Sequence, residues 1–536
     1  MKRILLVSIF IPIITLPQSY LNLKNKNYNQ SKPKIVVGIV VDQMRYDYIY
    51  RFWDDFGNNG FKKLVKQGYF CRNANFSYMP TFTGPGHASI FTGTTPSIHG
   101  IIANNWYDKN SREYIYCTGD NKMNIIGFSR KNTTISEDGK MSPHNMLTTT
   151  IGDELQLFNS KNKVIGISLK DRGAILSAGH SADAAYWMNS DGDWITSSFY
   201  MDSLPKWLVD YQQEKNALYY LQGNWDVKGS FNYNLDSLFA KKGGSAIKST
   251  PYGNTILKDL AKEIIKEEKM GQTESTDFLA ISFSSTDYIG HQHGPHSDEI
   301  KDTYIKLDKD IADLLTTLEN KIGHDNIVLF LTADHGVVSE PSELLKRKIP
   351  AGYYNKSQII QEINNYLQKE FNWPNKNVEY NYILNFSNNQ IFLNHDMIKD
   401  NLHVNIEEVR KSCAHFLLNY DWVKNSFTSD QLHENEYQNT PHSLVQKGFN
   451  QKRSGDVIIN PQSGWLGFSW RQGGTSHGSC FSYDTHVPLI FWGGGINSGK
   501  TDRNVYIRDI APTICSLLNI SYPNGCTGNP ILEITK

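Results

Sequence analysis

The chain has 536 residues, 39% hydrophobic and 20% charged, the composition of an ordinary globular protein with material for a large buried core. Lys+Arg and Asp+Glu both number 54, so the formal net charge is zero. That balance asks for neither nucleic acid nor an acidic membrane surface as a specific partner, and any affinity for an anion must come from a local site.

At the N-terminus, Lys2 and Arg3 precede an apolar run over residues 4–16, and a polar stretch follows from Gln18. This order predicts a signal peptide over residues 1–19, and hence a periplasmic or secreted protein, against the alternative of an N-terminal strand. The run is shorter than the roughly 20 residues a membrane helix needs, and no later segment qualifies, so no transmembrane anchor is expected. No cysteine directly follows the run, which disfavours a lipid anchor. Cys71, Cys117, Cys413, Cys480, Cys515 and Cys526 form no C-x-x-C pair, which disfavours a thiolate zinc site. Cys515 and Cys526 are near enough in sequence to close a small loop if export permits disulfides; free buried thiols are the alternative.

The next predicted element is KIVVGIVVD at residues 34–42, a continuous β-branched run of the kind buried on both faces of a parallel sheet. KVIGISLK ending at Lys170, DFLAISFSSTD ending at Asp287, and NIVLFLTADHG carrying Asp334 and His335 repeat the pattern. THVPLIFWGGG closes the core near residue 495. Helical segments are expected between strands, around 256–268 and 300–321. The alternation predicts an α/β fold, a doubly wound and mostly parallel sheet flanked by helices. The core is expected over 34–340 and 466–536. Residues 341–465, rich in Asn, Lys and Tyr, read as a cap, and 185–250 as a further insertion.

The residues capable of chemistry fall at the C-terminal ends of these strands, the edge where open α/β sheets bind ligands. Asp287 and His291 are four apart, one helical turn, and share a face. Asp334 and His335 are adjacent at a strand end, Asp42 ends the first strand, and His477 lies in the glycine-flanked G-T-S-H-G loop. Each alone is more often a turn residue or a helix cap. Together, six Asp and His ligands divide into three and three. Zinc takes such N and O donors, and two ions about 4 Å apart would clamp both oxygens of an in-line displacement.

T-F-T-G-P-G-H-A-S holds three hydroxyls, Thr81, Thr83 and Ser89, around a sharp turn that opens a helix near His87. A helix N-terminus offers free N–H groups to phosphate, and a zinc-bound hydroxyl there becomes a nucleophile; without metals an ordinary N-cap is the simpler reading.

Asp42, T-F-T-G-P-G-H-A-S, D-Y-I-G-H, T-A-D-H-G and G-T-S-H-G, in this order, resemble the alkaline phosphatase superfamily, as does the terminal R-D-I-A-P-T-I-C-S-L-L-N-I. Within it the chain looks most like the PafA-type, phosphate-irrepressible bacterial alkaline phosphatases, from about residue 34 onward. The resemblance implies zinc-dependent hydrolysis of small phosphate monoesters through a phosphorylated Thr83. Asp42, Asp334 and His335 would bind the zinc that activates Thr83, and Asp287, His291 and His477 the zinc at the leaving oxygen. Asn104, with Asn105 beside it in register, would hold a phosphoryl oxygen. Lys170 and Arg172 of S-L-K-D-R would grip the others, a point charge and a planar fork suited to a dianion. With the ligand set full, His293, His296 and His486 are expected to be structural.

A sulfatase needs a modifiable Cys or Ser in C/S-x-P-x-R, where this chain has Thr83 in T-G-P-G. Phosphodiesterases and nucleotide pyrophosphatases of the superfamily share the threonine and ligands but as a rule lack the Lys-x-Arg pair. Phosphonoacetate hydrolase shares the metal site. Outside enzymes, the alternative is a metal-binding protein that has lost catalysis, against which the intact Thr83 argues.

Overall fold

A computed structural model describes residues 32–127, 137–371, 381–399, 404–438 and 440–535. The expected signal peptide at 1–19 lies outside the described residues. The remainder from Pro33 onward is one compact unit, and no described helix is long and apolar enough to cross a membrane.

The unit is built on a sheet of eleven strands among the described residues. β1 (Ile35–Val41) is buried at every position, because its β-branched side chains are covered on both faces. β2 (Tyr69–Asn75) precedes α1 (Thr83–Thr92), and β3 (Ile125–Ile126) precedes β4 (Val164–Ser168) and α2 (Asp171–Ala178). β5 (Ala184–Met188), β6 (Trp194–Ser197), α3 (Tyr252–Glu267), β7 (Asp277–Phe283), α4 (Ser285–His293), α5 (Asp298–Ile322) and β8 (Ile327–Thr332) follow. After an intervening segment come β13 (His486–Gly493), β14 (Gly499–Thr501), β15 (Val505–Tyr506) and α6 (Ile510–Leu518). That segment contributes β9 (Ile383–Ser387), β10 (Gln390–Leu393), β11 (Val423–Thr428) and β12 (Val457–Pro461).

The strand order is β14-β2-β13-β8-β1-β7-β4-β5-β6-β3, with β15 also paired to β2. β1 lies between β7 and β8, parallel to both, and β4 and β5 extend the parallel block. β13 runs antiparallel to β8 and to β2. The fold is therefore α/β and doubly wound, mostly parallel, with antiparallel strands toward its edges. β5 and β6 are buried strands of this sheet, so the segment expected as an insertion over 185–250 starts inside the core. Short strands of four or five residues carry too little periodicity to be read from sequence.

The helices bury one stripe each. In α5, Ile300, Tyr304, Leu307, Ile311, Leu314 and Leu318 are buried at three- and four-residue spacing. Ser297 caps it by accepting from the Ile300 N–H. β9, β10, β12 and β11 form a separate four-stranded sheet, over a second cluster of buried residues that includes Ile363, Ile391, Val409, Leu417 and Val457.

Candidate active site

Parallel strands β1, β7, β8 and β4 end at one rim, and each delivers a charged group there. Asp42 follows β1, and its N–H is fixed by the Phe283 carbonyl at 2.9 Å. Asp287 and His291 lie on α4 after β7, with His291 Nε2 3.0 Å from Asp287 Oδ1. Asp334 and His335 follow β8, and His335 Nε2 is 3.4 Å from Asp42 Oδ1 and 3.6 Å from Asp334 Oδ2. His477 arrives from a distant loop, with its ring stacked on His335 at 3.5 Å between centroids and its Nε2 3.8 Å from Asp287 Oδ1.

Two groups of donor atoms each fall within 4.8 Å of one another: Asp287, His291 and His477, and Asp42, Asp287 and His335. The first is the predicted set. In the second, Asp287 takes the place expected of Asp334, whose Oδ2 stays beside His335. Asp287 thus borders both groups: its Oδ1 meets His291 and His477, and its Oδ2 shares the Lys170 ammonium with Asp42.

The histidine tautomers follow from their partners. A carbonyl oxygen only accepts, so Nδ1 must carry the proton where His291 meets Thr475 O at 2.7 Å, His477 meets Thr81 O at 2.7 Å and His335 meets Gly336 O at 2.9 Å. All three therefore turn their remaining ring nitrogen, Nε2, toward the carboxylates, the arrangement of metal-ligating histidines. Asp42 Oδ1 and Asp334 Oδ2 are buried without a hydrogen-bond partner. Three imidazole nitrogens and orphaned carboxylate oxygens converging in this way fit divalent metal ions with N and O ligands.

The electrostatics agree. Burial, together with the Asp42 carboxylate, pushes the Asp334 carboxyl well above its ordinary range. Burial and Asp287 likewise raise Asp42, and burial holds the His335 imidazole down to about 3. Burial alone would raise Asp287 too, but His291 and Lys170 outweigh it and hold it well below. Asp42 and Asp334, pushed up by burial and by neighbouring carboxylates, form a site where bound positive charge would favour the ionised form.

Thr83 opens α1 and is 1% exposed. Its Oγ1 lies 3.5 Å from His335 Nε2. Pro85 is tolerated in the first turn, where an N–H has no helical acceptor, and Gly93 at φ 69° ends the helix in the left-handed region. Gly86 admits the close approach to Asp334: a Cβ there would lie 2.3 Å from Asp334 O. Thr81 Oγ1 is instead committed to Ser479 O at 3.0 Å, and Ser89 Oγ to His99 at 3.0 Å. Of the three hydroxyls, Thr83 meets the cluster.

Asn104 Oδ1 accepts from the Gly84 N–H at 2.7 Å, beside Thr83. The oxygen is used there, so the amide N–H₂ is its remaining polar end. Asn105 is exposed in a short strand and offers its carbonyl to Asn388.

Lys170 and Arg172 frame the N-terminus of α2. Lys170 Nζ is 2.6 Å from both Asp42 Oδ2 and Asp287 Oδ2, and 5.0 Å from the Tyr288 ring centroid. Burial works to lower its pKa, but Asp287 and Asp42 outweigh it and raise it. Arg172 Nη1 donates to Tyr116 Oη at 3.0 Å, and Tyr116 in turn donates to Asp171 at 2.6 Å.

The remaining candidates stand apart. His293 pairs with Glu299 at 3.2 Å, His296 with Ser339 at 2.9 Å, and His486 with the Arg72 carbonyl at 2.9 Å. All six cysteines are free thiols, so Cys515 and Cys526 close no loop. Sequence reading missed three supporting residues. Tyr116 holds Arg172. Gln43 touches the Asp334 and Asp287 carboxylates. Asp484 accepts from the N–H groups of Gly478 and Ser479, while its carbonyl accepts from Gly336 N–H, so it braces both histidine loops. Only the position of Gln43 beside Asp42 hinted at any of them.

A doubly wound sheet that gathers Asp and His from its strand ends around a threonine at a helix N-terminus is an alkaline phosphatase-like fold. Residues 36–479 match the type I phosphodiesterase / nucleotide pyrophosphatase family, and the chain belongs to that family, among its PafA- and PhoV-like alkaline phosphatases. It is 38% identical to alkaline phosphatase PhoV of Synechococcus elongatus over 94% of both chains. It is 36% identical to alkaline phosphatase PafA of Elizabethkingia meningoseptica, again over 94% of both. A Myroides odoratus protein named calcium-transporting ATPase is 40% identical over 94% of both chains. A crystal structure of wild-type alkaline phosphatase PafA matches with a TM-score of 0.88 at 36% identity, covering 94% of this chain and 99% of that one.

Proposed function

We propose that the protein hydrolyses phosphate monoesters to an alcohol and inorganic phosphate, with Thr83 as nucleophile and two zinc ions as cofactors. The observation that carries this reading is Thr83 Oγ1 at 3.5 Å from His335 Nε2, at the mouth of a buried helix. Asp42, Asp334 and His335 would hold the zinc beside Thr83, and Asp287, His291 and His477 the other. Zinc there would supply Lewis acidity, favouring deprotonation of Thr83 and departure of the leaving oxygen.

The chain's own residues do the rest. Thr83 Oγ attacks phosphorus, the alcohol leaves, and water then displaces Thr83 from the phosphothreonine. The Thr83 N–H at the start of α1 would face the phosphoryl group, since the Gly84 N–H is given to Asn104 Oδ1 and the Gly86 N–H to Phe82 O. An ammonium has three donors, and Lys170 uses two on Asp42 and Asp287, leaving one for a phosphoryl oxygen. Arg172, oriented by Tyr116, and the Asn104 amide would meet the remaining oxygens. Residues 341–465 would act as the cap that shapes the leaving-group side. The protein would work in the periplasm or outside the cell.

The test is phosphate release from an aryl phosphate before and after chelation. A phosphodiesterase reading has the family name in its favour. Matched aryl mono- and diesters separate the two, since Lys170 and Arg172 favour the dianion of a monoester.

A further inference from the structure

We propose that Gln43 is a positioning residue that ties the two metal-ligand sets together, and that Gly290 exists to make room for it. The inference rests on the two-metal reading above. Gln43 directly follows Asp42 and is 2% exposed. Its backbone N–H donates to Asp334 Oδ1 at 3.1 Å, and its side-chain Nε2 donates to Asp287 Oδ1 at 2.6 Å. One residue thus grips a carboxylate from each set.

The backbone is bent to do this. Gln43 has φ 65°, the left-handed region that non-glycine residues seldom adopt. Such strain persists where surrounding structure imposes it, often at functional sites. A glycine would relieve it, yet the chain carries a glutamine.

The partner helix is cut to match. Gly290 sits on α4 between Asp287 and His291, and a Cβ there would lie 2.0 Å from Gln43 Oε1. The glycine of D-Y-I-G-H is therefore the space into which the Gln43 amide fits. Lys170 also bridges carboxylates of this cluster, but it does so by adding charge. The amide of Gln43 is neutral. It aims a carboxylate oxygen without competing for its charge, as outer hydrogen bonds to metal ligands do.

The experiment compares wild type with Gln43→Gly, Gln43→Met and Gly290→Ala. It reads zinc stoichiometry and affinity by chelator competition, thermal midpoints with and without zinc, and kcat and KM. Gln43→Gly keeps the backbone donor and relieves the left-handed strain, so its metal-free midpoint should equal or exceed that of wild type. Gln43→Met keeps the side-chain length and loses the amide. Both should weaken at least one zinc equivalent by about 10–100-fold, with a smaller zinc-induced rise in midpoint. Gly290→Ala should show the same zinc defect by displacing the amide. Unchanged zinc affinity and stoichiometry in both Gln43 variants would overturn the proposal. A wild type that binds no zinc would instead bring down the two-metal reading beneath it.

Discussion

Thr83 and His335, 252 positions apart in sequence, meet with Oγ1 and Nε2 at 3.5 Å. The first opens α1 and the second follows β8, so the contact exists only because helix and strand end at the same rim. His335 Nδ1 is held by the Gly336 carbonyl, which directs Nε2 at the hydroxyl.

This contact predicts that Thr83→Ala lowers kcat on an aryl phosphate by a thousandfold or more, on the order seen for removed nucleophiles. The six proposed Asp and His ligands are untouched, so bound zinc should stay at wild-type stoichiometry by elemental analysis. Near-normal turnover with zinc retained would refute the nucleophile assignment.

Lys170 and Arg172 should set the preference for monoesters. Each charge-assisted bond to a phosphoryl oxygen contributes on the order of 1.5–3 kcal/mol. Replacing both with Ala is expected to cut monoester kcat/KM by orders of magnitude and diester kcat/KM far less. Equal losses on matched substrates would mean the pair supports only the fold or the general charge of the site.

Metal removal is the third expectation. Exhaustive chelation should abolish activity, and added zinc should restore it at about two equivalents per chain. Full activity in protein shown to be metal-free would sink the assignment.

Acid stability should depend on His99, which is no part of the active site. Its Nδ1 accepts from the Ile101 N–H and its Nε2 meets Ser89 Oγ at 3.0 Å, so the neutral ring uses both nitrogens. Burial holds its pKa down to about 3, below the ordinary value of about 6.5. The unfolded chain therefore takes the proton first. This contribution is intact above about pH 6.5 and is lost as pH falls toward 3, at up to about 1.4 kcal/mol per pH unit. In chemical denaturation, the stability advantage of wild type over His99→Gln should shrink between pH 7 and pH 4.5. A pH-independent difference would contradict the linkage.

Gly86→Ala probes the closeness of α1 to the ligands. The added Cβ would lie 2.3 Å from Asp334 O, a backbone atom that cannot swing aside. Overpacking of this kind costs about 1–3 kcal/mol. A lower thermal midpoint is expected together with a fall in kcat, since Thr83 rides on the same helix. A variant with wild-type midpoint and rate would show that the contact relaxes freely.

The sequence alone determined the buried strands and the residue types at their ends. KIVVGIVVD has the length and β-branched content of a strand covered on both faces. D-Y-I-G-H and T-A-D-H-G each read as ordinary turns or caps when taken alone, and point to metal chemistry only as a joint pattern at successive strand ends. Tertiary structure alone decided which groups meet. It turned Thr83 rather than Thr81 toward His335, set Asp287 at the border of both metal groups, and placed Lys170 between Asp42 and Asp287. It also folded the unmarked Gln43, Tyr116 and Asp484 in as supports. The physical reason is range: periodicity and turn chemistry act over a few residues, whereas these contacts join positions up to hundreds apart, and only the packed sheet fixes their distances.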